Sequence, residues 1–149
     1  MKKFLLPILI IIVFLCLLGC GAEETPAMGD LHWKMTSIQE NSNGRIYWVG
    51  SPSMQETYPD ADIMNMTCNL SGTEITLCDH DGGSIWRGVC KQMERENPQT
   101  TIYEITFDDN TKGHAVRSVT KYMDAEQEGT LVVSANGYTI YFSAEMPGR

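Results

Sequence analysis

Asn136-Gly137 stands between two runs rich in β-branched and aromatic residues, 130–135 and 138–144. A two-residue connection between paired strands needs positive φ at both positions. Asparagine followed by glycine meets that demand at low steric cost, so the spacing predicts a hairpin over 130–144 with a type I′ turn. Such a hairpin commits its strands to antiparallel pairing and to one register, because side chains alternate faces with a period of two. Similar punctuation recurs as Asn43-Gly44, Asp81-Gly82-Gly83 and Asn110-Thr111-Lys112-Gly113, and each reads as a turn for the same backbone reasons.

Between these turns the pattern is strand. Leu31, Trp33 and Met35 alternate with His32, Lys34 and Thr36, and residues 45–49 are a compact aromatic and β-branched run. Runs 63–68 and 73–78 flank Ser71-Gly72, and 84–93 carries Ile85, Trp86 and Val89. In 101–107, Tyr103, Ile105 and Phe107 alternate with Ile102, Glu104 and Thr106, and 115–122 is a weaker strand. Residues 91–99 are polar and fit one helical turn or a loop equally well. No helical period is sustained, and there is no internal repeat or domain boundary. Short strands separated by turns at intervals of about ten residues predict an all-β chain: a single antiparallel sandwich or barrel-like domain of about eight strands.

The first twenty residues obey a different rule. Lys2 and Lys3 precede an apolar run, 4–18, interrupted only by Pro7. That run is shorter than the roughly 20 residues needed to span a bilayer, and its charged start marks a signal peptide. Leu17-Leu18-Gly19-Cys20 resembles the lipobox of bacterial lipoproteins. The resemblance implies cleavage before Cys20 and acylation of Cys20. Gly21, in place of an aspartate, implies sorting to the outer membrane of a Gram-negative cell, with the domain facing the periplasm. The expected organisation is a signal peptide over 1–19, a lipidated cysteine and tether over 20–29, and a β-domain over 30–149. The membrane is then a partner through the anchor, held lastingly by more than one acyl chain.

Cleavage removes Lys2 and Lys3, which leaves nine basic residues against nineteen acidic ones and a net charge of −10. Nucleic acid is excluded as an expected partner, because no basic patch exists to displace counterions from phosphates. A polybasic grip on anionic lipid is excluded on the same ground. Three cysteines remain beyond Cys20, namely Cys68, Cys78 and Cys90, and no pair has the Cys-x-x-Cys spacing of redox or zinc motifs. An oxidising compartment favours a disulfide, and an odd number of thiols allows at most one internal bridge.

Gly29-Asp30-Leu31-His32-Trp33, then Cys68 and Cys78, then Gly83-Ser84-Ile85-Trp86-Arg87-Gly88-Val89-Cys90 follow one another in the mature chain. This order resembles a family of small exported Gram-negative proteins known only as a domain of unknown function. The sequence departs from that family in the wider Gly29–Trp33 spacing and in having no C-terminal cysteine. The resemblance implies an all-β exported domain and supplies no activity. Together with export, it makes Cys78 and Cys90 the expected disulfide, with Cys68–Cys90 as the rival. Register bears against the first choice. A tight turn about Asp81-Gly82 puts Cys78 opposite a residue near Ile85, so a bridge to Cys90 needs a wider loop.

The densest polar cluster is Cys78-Asp79-His80-Asp81-Gly82-Gly83. Asp79, His80 and Asp81 are the candidate metal ligands, since carboxylates and imidazole suit a divalent ion. The spacing is not that of an EF-hand, because Gly83 and Cys90 fall where oxygen ligands are required. A solvated turn explains the same residues and is the preferred reading. Asp108-Asp109-Asn110 is likewise a turn, and His32 and His114 are isolated. No nucleophile, metalloprotease or phosphate-binding motif is present, so no catalytic residue and no cofactor is expected. A triad assembled in space remains an alternative, with His80 or His114 beside a carboxylate. Trp33, Trp48 and Trp86 either pack the core or line a ligand cavity, and the scattered methionines read as core filling. The expected function is a non-catalytic binding or interaction module at the outer membrane, meeting an unknown protein or envelope ligand. A metal-handling lipoprotein and an enzyme with a dispersed site are the alternatives.

Overall fold

The computed structural model describes residues 31–59, 65–93, 99–121 and 127–145. The segments expected to be a signal peptide and tether, with Cys20, lie outside the described residues. The strands are β1 (Trp33–Glu40), β2 (Ile46–Trp48), β3 (Thr67–Ser71), β4 (Glu74–Cys78), β5 (Ser84–Gln92), β6 (Thr100–Phe107), β7 (Lys112–Lys121), β8 (Gln127–Ala135) and β9 (Tyr138–Glu145). One short helix, α1 (Pro52–Thr57), follows β2.

From β3 to β9 each strand pairs antiparallel with the next. Asn136 and Gly137 take φ values of 51° and 81°, and Ala135 pairs with Tyr138 across them. The hairpin predicted from Asn-Gly is therefore formed in the expected register. β1 then decides between sandwich and barrel. One of its edges pairs with β9 from Lys34–Ser143 to Glu40–Tyr138, with a bulge between Met35 and Ser37. Its other edge is shared. Trp33 and Lys34 pair with Cys68 and Thr67 of β3, and Ser37 to Gln39 pair with β2. Eight strands thus close into an antiparallel barrel, and β2 is a ninth strand beside it.

Closure pairs both ends of the β3–β9 sheet through β1 and encloses an interior that side chains alone can fill at this strand number. Trp33, Ile75, Leu77, Ile105, Leu131, Val133, Ile140 and Phe142 are almost wholly buried there. The six-membered end of the Trp33 indole lies over Gly129 of β8, where an added Cβ would sit 3.0 Å from the ring. Met54 of α1 is fully buried in the same core, and Tyr47 of β2 packs beside it. Tyr47 and Tyr58 meet edge to face with centroids 5.4 Å apart.

The helix α1 is absent from the strand-only expectation. It is too short to show a period, and packing of Met54 is its main support. Its signal is the start alone. The Ser51 hydroxyl oxygen accepts from the Met54 amide at 3.3 Å, and proline follows at the first helical position. In the 91–99 segment, Lys91 and Gln92 end β5, while 94–98 lie outside the described residues.

Candidate functional site: an aromatic-floored cleft between two hairpin ends

The strands β5 and β6 are in register only from Gly88–Phe107 to Gln92–Tyr103. Beyond that, the start of β5 stays with β4, pairing Arg87 with Thr76 and Trp86 with Leu77. The chain after β6 turns away at 108–111 to enter β7. The last rung of the parting is Asp108 N–H donating to Arg87 O at 2.9 Å. The two hairpin ends therefore diverge and leave an open cleft of about 390 Å³. That volume is in the range of small-molecule sites.

Trp86 and Phe107 form its floor, with ring centroids 6.1 Å apart at 62°. Such an edge-to-face pair adds about 0.5–1.5 kcal/mol beyond area burial, which keeps the floor ordered. Gly88, directly across from Phe107, has no room for a side chain: a Cβ there would lie 2.7 Å from the Thr106 carbonyl oxygen. Ser84 and Arg87 line the β5 side, and Asp108 and Asp109 the side of the turn. Asp109 Oδ1 accepts from the Thr111 amide at 2.9 Å and from its hydroxyl. These hydrogen bonds hold the Asp109 carboxyl below its ordinary pKa and keep it ionised. Histidine and cysteine are absent from the lining, whose polar residues are Ser84, Arg87, Asp108 and Asp109.

The expected metal ligands are occupied by a turn. Asp79 Oδ1 accepts from the Asp81 amide at 3.0 Å and the Gly83 amide at 2.6 Å, and His80 Nε2 is 3.2 Å from Asp81 Oδ1. These are the bonds of an Asx-type turn, which spend the carboxylate on backbone donors. Among the described residues, no group of three or more His, Cys, Asp or Glu side chains is placed to hold a metal ion. His32 is exposed just before β1 and His114 is exposed on β7, and neither lines the cleft.

The Cys78–Cys90 bridge is corrected by the structure: Cys68, Cys78 and Cys90 are all buried free thiols. Cys78 pairs with Ser84, so Cys90 lies six residues farther along β5. At about 3.3 Å per residue that is roughly 20 Å, against the limit of about 7 Å for bridged Cα atoms. The faces differ as well. Cys68 and Cys90 belong to the interior cluster, whereas the Cys78 sulfur is 3.5 Å from the side-chain amide of exposed Asn69. Burial pushes the Cys90 thiol up to about 11, and burial followed by the nearby Cys90 and Cys78 raises Cys68 further. Both are protonated at neutral pH and are poor nucleophiles.

The three tryptophans separate. Trp33 is core, Trp86 is half-buried in the cleft, and Trp48 is 60% exposed on β2. Met35, Met54 and Met66 are buried as core filling, while Met93 is exposed. Sequence reasoning missed the cleft itself. Asp108-Asp109 was visible as a turn, but nothing local joins that turn to Trp86-Arg87. Arg117, inward on β7 opposite Thr101 and Leu131, was also missed. It is engaged within the protein.

The fold is a closed eight-stranded antiparallel barrel with a filled interior and an open cleft where β5 and β6 part. Comparison with protein-family models, with curated proteins and with solved structures finds no match.

Proposed function

We propose that this chain is a lipoprotein anchored at the outer membrane through acylated Cys20, facing the periplasm, and that its barrel acts as a non-catalytic binding module. The observation that carries the binding role is the cleft, whose lining brings an aromatic pair together with side chains of opposite charge. Such a lining suits recognition of a polar partner. The filled interior disfavours carriage of a large apolar ligand inside the barrel. The anchor reading rests on Leu17-Leu18-Gly19-Cys20 and the charged, apolar segment before it.

The test has two arms. Intact mass of the native protein should show loss of 1–19 and acylation of Cys20, and Cys20→Ser should abolish both. An unmodified Cys20 overturns the anchor. Cross-linking in native membranes with Arg87→Glu/Asp108→Lys beside the wild type should lose the partner captured by the wild type. Unchanged capture overturns the cleft as the binding site.

A further inference from the structure

The ligand class of the cleft follows from its charges. Arg87 stands on the β5 side and Asp108 on the turn side, joined through their backbones by the 2.9 Å bond from Asp108 N–H to Arg87 O. Among the described residues, neither side chain has an ion-pair or hydrogen-bond partner, so the two opposite charges in one cleft do not neutralise each other. Asp109 has one carboxylate oxygen committed to Thr111, which leaves the other available. The Trp86–Phe107 pair lines the same cleft. A neutral ligand leaves all three charges unused. A simple cation meets Arg87, and a simple anion meets two carboxylates. A molecule with both charges, separated by a short apolar body, satisfies each wall.

We propose that the cleft binds a zwitterion of the amino-acid or short-peptide class, with its carboxylate on Arg87, its ammonium on Asp108 and Asp109, and its apolar portion on Trp86. This rests on the binding-module reading and names its ligand. Arginine offers paired N–H donors to a carboxylate, and an ammonium beside an aromatic face gains a cation–π contribution as well as its carboxylate partners. The cleft is open and all three charged residues are exposed, so each contact is modest and both ends are needed for measurable affinity.

Titration calorimetry of the full chain with glycyl-leucine tests this, using its N-acetyl and C-amide derivatives and N-acetylglucosamine trimer as comparators. Glycyl-leucine is expected to bind, and each capped form to bind about threefold more weakly, as expected for loss of one exposed charged contact. Arg87→Gln should erase the difference between the free acid and the amide. Asp108→Asn/Asp109→Asn should erase the difference between the free amine and the acetylated form. Far-UV circular dichroism checks that both variants fold. Equal affinity for free and capped peptides, or binding of the trisaccharide alone, overturns the proposal. So does failure of every probe. If the partner cross-link is still lost in the cleft variant, the binding-module reading stands without this ligand class; if it too is unchanged, both fall.

Discussion

The wall from β5 to β9 and the seam from β1 to β3 are built from the same alternating chemistry, yet they are held by different forces. In the wall, β7 and β8 stay in register from His114–Ser134 to Lys121–Gln127, and β8 and β9 from Glu128–Glu145 to Ala135–Tyr138. Long ladders between strands adjacent in sequence make each pairing local and mutually supportive. At the seam, β1 and β3 share only Trp33–Cys68 and Lys34–Thr67, extended by one bond from the Met35 amide to the Met66 carbonyl at 3.0 Å. What the ladder lacks, side chains supply. Trp33 spans to Gly129 from inside, and β2 with α1 adds Tyr47 and Met54 to the core. A barrel can thus be closed by a short hydrogen-bonded contact when large buried side chains flank it.

The sharpest way to break this contrast is Trp33→Ala. Removing a fully buried indole at the seam should cost about 3–5 kcal/mol. In native-state hydrogen exchange, amides of β1 and β3 should lose protection before those of β7 and β8. Equal loss across the barrel would show that seam and wall unfold as one unit. Met54→Ala should follow at about 2–5 kcal/mol by denaturant midpoint, through the cavity left beside Tyr47. A cost under about 1 kcal/mol would remove α1 from the closure.

A smaller effect belongs to the wall. Gly137→Ala places a Cβ at φ 81° in the two-residue β8–β9 turn and should cost about 1 kcal/mol without disturbing the seam. The smallest is electrostatic. Glu40 accepts from the Tyr58 hydroxyl at 2.8 Å and from the Asn43 side chain at 2.5 Å, which lowers its pKa from 4.5. A depressed carboxyl contributes stability that is complete above the unfolded value and lost as pH falls through the folded one. Melting temperature should therefore fall with acidification below about pH 4.5 less steeply in Glu40→Gln than in the wild type. Parallel profiles would sink that assignment.

Sequence by itself determined most of the strands and turns and the all-β class, because period-two alternation and positive-φ turn residues act over a few neighbours, although the run read as 63–68 overlaps β3 only at Thr67 and Cys68. Asn136-Gly137 is the clearest case, and the Asp79–Gly83 turn behaves likewise. Tertiary structure alone decided barrel over sandwich, because β1 meets β9 across about a hundred residues and no local signal encodes that pairing. It also decided the helix α1, whose six residues are held by the burial of Met54. The cysteines followed strand register and face, which a one-residue shift would have reversed. The cleft emerged where β5 and β6 part company, bringing Trp86 and Arg87 to Asp108 and Asp109 from about twenty residues away. Which side chains share a surface is set by how the strands stagger around a closed barrel, a property of the whole wall that no single strand carries.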